Sequence, residues 1–337
     1  MSKNYKNEKL VLLRNQFKKD FGEGFITDLD NPIKIKRISS GLLKLDEILG
    51  GGIPLGKPIT VYAEYSCGKT TLATTFAAKF QQAFPNKAIA IFDSESAYEF
   101  DRMNELGVII DNEDRLFYST ETALEKNFDA IDAMVESGEF SLIIIDSIDN
   151  ITIDKIKNGS IEENDMGLEA KKRKQFFKKI KPKLAQTDTT LLIIAQIYAN
   201  TTGYGKAKIF GGGNSVRFQS SIIIELAKLE PLEKNKVEVG IVVKAKTQKN
   251  QTYKPFETCN LDLFFETTKE WKAGYDEMAS MLQACVELAI IKKGGAWYTL
   301  PNGEKIQGEE RMIALLKQDE KLKKELLNEY IKTYGEK

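Results

Sequence analysis

A phosphate-binding loop is indicated by the segment AEYSCGKTT at 63–71, which follows a short apolar run and opens a helical pattern. Backbone N–H groups in such a loop surround phosphate oxygens, and the helix that follows adds its dipole. Lys69 is expected to reach the β- and γ-phosphates of a nucleotide, and the hydroxyl of Thr70 is expected to bind Mg²⁺. Ala63 stands where this motif usually has its first glycine, and alanine fits if its φ stays negative. An ordinary turn between a strand and a helix is the alternative interpretation.

Three apolar runs end in polar side chains that suit phosphate chemistry. Asp146 ends the run LIIIDS and could hold Mg²⁺ through water. Glu95 closes AIAIFDSE, where a carboxylate is placed to orient and deprotonate an attacking water. Gln196 closes TLLIIAQ and could hydrogen-bond a γ-phosphate and report its presence to the segment that starts at Ile197. Each could instead only cap its strand, and for Glu95 the sequence leaves both interpretations open.

The elements that must position these residues alternate between strand and helix patterns. Continuous runs of Ile, Leu and Val predict strands buried on both faces, hence an α/β fold with a mostly parallel central sheet and helices on both sides. Two later runs, 220–226 and 237–246, are predicted as an antiparallel extension, because the link between them is too short for a crossover helix. The segments 149–170 and 197–215 are irregular, which is typical of functional loops.

Three regions are predicted along the chain. Residues 1–33 hold an amphipathic helix at 5–22 and a linker, 34–269 form the core with both irregular segments, and 270–337 form a small α+β lobe. The N-terminal helix must bury its apolar stripe on its own body or on a neighbouring copy of the chain.

Composition excludes several classes of function. The chain has 49 Lys and Arg against 49 Asp and Glu, so a nucleic-acid site would have to be local. It has no histidine, which excludes catalytic triads and zinc sites that need imidazole. Three widely spaced cysteines indicate neither a disulfide framework nor a metal site, and they suit a reducing, cytoplasmic location. The longest apolar runs are too short to span a membrane.

The chain resembles bacterial RecA-type recombinases over nearly its whole length. The similar segments are RISSGLLKLDEILGGGIPLGKPITVYAEYSCGKTTL, IFDSESAYEFDRMNELGV, LIIIDSIDN, DMGLEAKKRKQFFKKI, IIAQIYANTTGYGKAKIFGGGNSVRFQSS and GGAWYTLPNGEKIQGEE. Their order and spacing make the resemblance specific. It implies a RecA-type P-loop ATPase core with ATP and Mg²⁺ as cofactors. It also implies single-stranded DNA and homologous double-stranded DNA as partners, and a homo-oligomeric helical filament.

For the nucleotide site, the resemblance implies roles for individual residues. It implies that Glu95 is the catalytic base, that Gln196 senses the γ-phosphate and that Glu99 is the acid on the adenine or ribose side. The residues implied to contact nucleotide or metal are Ser66, Cys67, Gly68, Lys69, Thr70, Thr71 and Asp146, with Thr70 and Asp146 on the metal.

For the contact between neighbouring protomers, the resemblance points to three further residues. Lys244 and Lys246 resemble a lysine pair that reaches the γ-phosphate of the next protomer. Two lysines at alternate positions of a strand could also simply face solvent. Phe218 resembles an aromatic that carries the ATP signal across the same interface.

A DNA-binding surface is predicted around KKRKQFFKKIKPK at 171–183, where eight Lys and Arg lie without an intervening acidic residue. Such a cluster neutralises phosphates, although a charge run is often only a solvated helix face. Glycine and asparagine in the second irregular segment offer backbone N–H donors, and its aromatics could stack on bases. The residues implied are Met166, Gly167, Lys171, Lys178, Tyr198, Gly212, Gly213 and Asn214, with Tyr204 and Phe210 as further stacking candidates.

The sequence therefore predicts a protein that polymerises on single-stranded DNA and catalyses homologous pairing and strand exchange, with DNA-stimulated ATP hydrolysis. A RecA-fold ring ATPase without strand exchange, of helicase or regulatory type, is the main alternative. The N-terminal helix and the lobe that contains GGAWY favour the recombinase, because they flank the core as in that family. A non-enzymatic ATP-binding filament or loading factor is a third interpretation, against which Glu95 and Lys69 argue.

Overall fold

The internal contacts of the chain divide it into two units, Met1–Lys36 and Arg37–Lys337. The computed structural model describes residues 7–22, 26, 34–153, 163–199, 208–234 and 236–335, without the side chains of 163–166, 199 and 208–210. In the first unit, helix α1 spans Glu8–Phe21, close to the predicted 5–22. The side chain of Asn7 caps this helix by accepting a hydrogen bond from the N–H of Lys9 at 3.2 Å.

The second unit alternates strands and helices in its first half. Its strands are β1 (Arg37–Ile38), β2 (Ile53–Pro54), β3 (Pro58–Ala63), β4 (Ala88–Asp93), β5 (Leu116–Ser119), β6 (Phe140–Asp146), β7 (Thr190–Ala199), β8 (Lys208–Phe210), β9 (Ile222–Lys234), β10 (Val237–Asn250), β11 (Thr258–Phe264), β12 (Gly274–Tyr275), β13 (Lys292–Gly294), β14 (Trp297–Thr299) and β15 (Lys305–Gln307).

The helices of this unit lie mostly between those strands. Among the described residues they are α2 (Leu43–Leu49), α3 (Lys69–Ala83), α4 (Phe100–Glu105), α5 (Leu124–Ser137), α6 (Glu163–Thr187), α7 (Gly213–Gln219), α8 (Glu277–Glu287), α9 (Glu309–Gln318) and α10 (Glu320–Gly335), and a 3₁₀ turn spans Ile148–Asn150. None of the described helices is both long enough and apolar enough to cross a membrane.

The central sheet has the strand order β12-β11-β10-β9-β3-β7-β6-β4-β5, and β8 pairs with the end of β7. From β9 to β5 the neighbouring strands are parallel, so their carboxyl ends lie at one edge. Alternate strand residues enter two separate cores. Val61 and Ile144 pack with Phe76 of α3 on one face, and Ile143 packs with Phe177 of α6 on the other. The prediction of a mostly parallel sheet covered on both faces is confirmed.

One part of the predicted topology is wrong. The run 220–226 was expected to be antiparallel, but β9 is parallel to β3, with Ile222 opposite Ile59. The reason is α7, which lies between β8 and β9 and gives the chain enough length to return to the amino edge of the sheet. Along the strand order of the central sheet, from β5 toward β12, antiparallel pairing begins between β9 and β10. The segments predicted to be irregular also contain regular structure, since α6 begins at Glu163 and β7 continues to Ala199.

The C-terminal part of the chain has a hydrophobic core of its own. Strands β13, β14 and β15 form a small antiparallel sheet, and Tyr298 of β14 is buried among α8, α9 and α10. Met281, Met312 and Leu326 are buried in the same cluster, and Leu43 of α2 joins it. The predicted boundary at residue 270 stays a prediction.

Gly240 of β10 lies in close contact with the backbone of the paired strand β11. A Cβ at this position would overlap the backbone carbonyl of Leu263 on β11, and the backbone of a paired strand cannot move aside cheaply. Gly240→Ala is therefore expected to lower the free energy of unfolding by about 1–3 kcal/mol in denaturant titrations. Gly294→Ala is the matched control, because Gly294 is also in a strand and a Cβ there would meet no atom within 4 Å. Equal stability of the two variants would contradict the packing.

Candidate functional site

The loop between β3 and α3 is packed against side chains of β11 and β12. Gly68 precedes α3 with a φ of 79°, and a Cβ there would overlap the side chains of Leu263 and Tyr275. The Tyr275 hydroxyl donates a hydrogen bond to the Gly68 carbonyl at 3.2 Å. Ala63 ends β3 and is not among the described residues of positive φ, so alanine fits here without strain. No pattern in the sequence indicates this contact of Tyr275 with the loop.

Lys69, the first residue of α3, points its ammonium group across this loop. The Lys69 Nζ donates to the carbonyl oxygens of Ala63 at 3.2 Å and Glu64 at 2.8 Å. Burial lowers the pKa of Lys69, and the nearby carboxylates of Asp146 and Glu95 oppose that shift. The ammonium is thus partly desolvated, so its attraction for an anionic ligand is stronger than it would be in water.

Thr70 and Asp146 are brought together by the parallel strands. The Thr70 hydroxyl donates to Oδ2 of Asp146 at 2.9 Å. Burial raises the pKa of Asp146 to about 6, and the charge of Glu95 adds to the shift. A hydroxyl and a buried carboxylate are oxygen ligands of the kind that Mg²⁺ takes together with phosphate and water. This donor set fits Mg²⁺.

Glu95 and Gln196 meet at the same edge of the sheet. Oε1 of Glu95 accepts hydrogen bonds from the Gln196 side-chain amide and from the Ser147 hydroxyl, both at 2.5 Å. Gln196 lies opposite Ala63 in the β3–β7 register, one strand from the phosphate-binding loop. The carboxylate that is predicted to act on water is therefore joined to the strand that leads into the second irregular segment.

The turn after β4 depends on Asp93, the last residue of that strand. Its buried carboxylate accepts hydrogen bonds from the Tyr118 hydroxyl at 2.7 Å and from the N–H groups of Ala97 and Tyr98, both at 3.1 Å. It also accepts from the N–H of Glu95 at 3.2 Å. Asp93 thus caps the strand end and aims the exposed Glu95 at the site.

Other predicted residues of the nucleotide site and interface lie farther from the loop. Glu99 is exposed and precedes α4. Lys244 and Lys246 are half-buried at alternate positions of β10, which lies two strands from β3, or roughly 10 Å. The Lys246 ammonium lies 5.9 Å from the ring centroid of Phe256. Phe218 is 71% exposed on α7. Their cross-protomer roles stay predictions.

Several of the cations in the basic segment 171–183 are already paired with acidic side chains of the same chain. Acidic side chains of α5 pair with this segment, which the sequence does not show because the partners lie 47 to 51 residues apart in the chain. Lys183 contacts Asp132 at 2.7 Å and Glu136 at 3.1 Å. Lys179 contacts Asp132 at 2.8 Å, Lys172 pairs with Glu125, and Arg173 is buried. The exposed cations of α6 for which no ion pair is described are Lys171, Lys174 and Lys178.

The residues of the second segment that are predicted to contact DNA differ in exposure. The N–H of Gly212 was expected to be a phosphate donor, but it is buried and bonded to the Asp149 carboxylate. Gly213 and Asn214 are exposed at the start of α7.

Tyr198 is 42% exposed on β7, and burial raises its pKa to about 12, with Asp149 and Glu95 adding to the shift. Gly167 is exposed on α6, whereas residue Tyr204 and the side chains of Met166 and Phe210 lie outside the described residues.

Comparison with known proteins gives consistent matches. Residues 9–269 match the family model of the RecA N-terminal domain. The proteins named Protein RecA from Gloeobacter violaceus and from a Nitratiruptor strain are 30% and 31% identical, over 93% and 98% of this chain and 83% and 94% of their own lengths. Protein RecA from a Sulfurovum strain is 32% identical over 95% of this chain and 91% of its own length.

Lys69→Ala is expected to weaken the binding of MgATP about 10- to 150-fold, because a charge-assisted hydrogen bond contributes about 1.5–3 kcal/mol. Titration of the protein with a fluorescent ATP analogue measures the affinity. Lys305→Ala serves as the control, since Lys305 is exposed on β15, in the separate C-terminal sheet. An unchanged nucleotide affinity of Lys69→Ala would contradict the assignment of this loop.

Proposed function

This chain belongs to the RecA family, and from that membership we infer that it is a DNA-dependent ATPase that polymerises on single-stranded DNA and catalyses homologous pairing and strand exchange. The similarity to the three relatives named above covers 93–98% of the chain, so it includes the regions on both sides of the ATPase core. That coverage favours a recombinase over a ring ATPase that shares only the core. A cytoplasmic location is part of the same proposal.

For the cofactor, we propose ATP with Mg²⁺. Backbone N–H groups of the loop Ser66–Thr71 would hold the phosphates, with Lys69 at the β- and γ-phosphates. Thr70 and Asp146 would hold the metal ion, directly or through water. When bound, Mg²⁺ would neutralise part of the phosphate charge. Glu99 is proposed for the adenine or ribose side.

For hydrolysis, the observation that carries the proposal is the hydrogen bond from Gln196 to Oε1 of Glu95. Glu95 would orient a water molecule and accept its proton. Because the same carboxylate binds the Gln196 amide, a γ-phosphate that competes for this amide would release Glu95 to act on water. The presence of ATP would then be reported to the strand that enters the second segment.

For DNA, we propose that α6 supplies phosphate contacts through Lys171 and Lys178, which are exposed. Gly213 and Asn214 would add backbone donors, and Tyr198 would add a surface for stacking. In the filament, Phe218, Lys244 and Lys246 would contact the next protomer, and the N-terminal region 1–33 would pack there as well. The exposure of Phe218 supports this arrangement, because large apolar side chains of this kind are typical of interfaces.

Glu95→Gln is expected to slow DNA-stimulated ATP hydrolysis by about two to four orders of magnitude while ATP and single-stranded DNA still bind, because the substituted amide keeps the size of the side chain but is not a base. Phosphate release in the presence of poly(dT) measures the rate. Glu113→Gln is the control, since Glu113 is exposed before β5, at the opposite edge of the sheet. Hydrolysis by Glu95→Gln at the wild-type rate would return Glu95 to a structural role.

Lys178→Ala is expected to flatten the slope of log affinity for single-stranded DNA against log salt by about 0.7, the increment for one phosphate contact. Lys183→Ala, on the same helix, is expected to change the slope by less than half as much, because Asp132 and Glu136 already neutralise Lys183. Fluorescence anisotropy of a labelled oligonucleotide at several salt concentrations gives both slopes. Equal slopes for wild type and Lys178→Ala would exclude this lysine as a phosphate contact.

A further inference from the structure

Asp149, in the 3₁₀ turn that follows β6, joins two distant parts of the backbone. Its Oδ2 accepts a hydrogen bond from the N–H of Gln196 at 2.8 Å, and its Oδ1 accepts one from the N–H of Gly212. Gln196 lies on β7 and Gly212 follows β8, and these strands pair antiparallel on either side of residues 200–207. One carboxylate therefore closes the base of the second segment.

Gly211 leaves the space that this carboxylate occupies. A Cβ at Gly211 would overlap both carboxylate oxygens of Asp149, and the residue has an ordinary φ. The Gly211 N–H also donates to the Gln196 carbonyl at 2.8 Å. The close approach of Asp149 thus requires a glycine at 211 for reasons of space and not of backbone conformation.

Arg173, on α6, holds the same backbone from the other side. Its buried guanidinium donates to the carbonyl of Gly212 at 3.2 Å, and to those of Ile148 at 3.0 Å and Ile151 at 2.9 Å. Gly212 is thus fixed at its N–H by Asp149 and at its carbonyl by Arg173. The guanidinium also ties the start of the first segment, at 148–151, to the end of the second.

The Arg173 side chain is buried and Asp149 is half-buried, and their opposite charges attract each other. Burial raises the pKa of Asp149, while Arg173 and the two N–H donors lower it. Burial lowers the pKa of Arg173, while Glu169 and Asp149 raise it. Glu169 completes the network with a contact of 2.6 Å to the guanidinium. Buried ion pairs of this kind add little net stability compared with apolar residues, and their best-attested use is to fix one geometry or switch between two.

We propose that Asp149 and Arg173 are a positioning pair that transmits the state of the nucleotide, sensed by Gln196, to both ends of the second DNA-binding segment. The proposal rests on the proposed sensing role of Gln196. Because hydrogen bonds tolerate only a few tenths of an ångström, a shift of Gln196 either breaks its bond to Asp149 or moves the carboxylate with it. When the carboxylate moves, Gly212 is displaced with it, because its N–H binds the same carboxylate.

The test measures the coupling between the two ligands. The coupling factor is the dissociation constant for labelled poly(dT) without nucleotide divided by that with a non-hydrolysable ATP analogue. Asp149→Asn has the same shape but only one acceptor oxygen, so one of the two N–H groups loses its partner. We expect the coupling factor to fall about tenfold or more, toward one, in the usual range of allosteric coupling. By linkage, the effect of poly(dT) on the affinity for the analogue must fall by the same factor.

Two further variants distinguish a positioning role of Asp149 from a purely structural one. Gly211→Ala displaces the carboxylate without altering it and is expected to reduce the coupling factor in the same way, even if Asp149→Asn does not fold. Asp114→Asn, an exposed carboxylate before β5, is the matched control and is expected to keep the wild-type factor. A purely structural role would lower thermal stability and both affinities but leave the coupling factor unchanged.

The outcomes separate this proposal from the function on which it rests. If the wild-type coupling factor is near one, ATP does not control DNA binding, and the proposed function is contradicted. If the wild type couples and both Asp149→Asn and Gly211→Ala keep the factor within twofold, the positioning pair is overturned while the recombinase assignment stands.

Discussion

The backbone register of four neighbouring strands, β3, β7, β6 and β4, is the constraint on which the site depends. Ala63 lies opposite Gln196, and Asp93 lies opposite Asp146, so the ends of these strands fall at one level of the sheet. With strands about 4.8 Å apart, side chains from segments a hundred residues apart come within hydrogen-bonding distance. A slip of one residue would turn each of these side chains to the other face of the sheet.

Much of this arrangement could be predicted from the sequence, because its signals are local. The glycine and lysine of the loop and the polar residues at strand ends, such as Asp146 and Gln196, stand directly after apolar runs. Asp149 could not be foreseen in the same way. Its partners are backbone N–H groups 47 and 63 residues away, and every residue except proline has such a group. Only the folded structure shows which N–H groups it takes.

The charge available on α6 could also be predicted only in part. The run of lysines on α6 is visible in the sequence, but its neutralisation by Asp132 and Glu136 depends on how α5 packs against α6. That packing is set in part by the stacked rings of Phe128 and Phe176, whose centroids lie 3.9 Å apart. An acid on one helix and a base on another meet through apolar contacts that no charge pattern reveals. The prediction for the direction of β9 was wrong for a related reason, because that direction depends on the path of the chain through α7.

The continuity of the sheet has a mechanical consequence. The strand that bears the phosphate-binding loop, the strand that enters the second segment and the strand that bears Lys244 and Lys246 are hydrogen-bonded into one plate. Densely packed interiors of this kind resist compression and transmit strain instead of absorbing it. In a filament built as proposed, nucleotide would therefore rotate neighbouring subunits as rigid bodies, and the helical pitch of the polymer would record which nucleotide is bound.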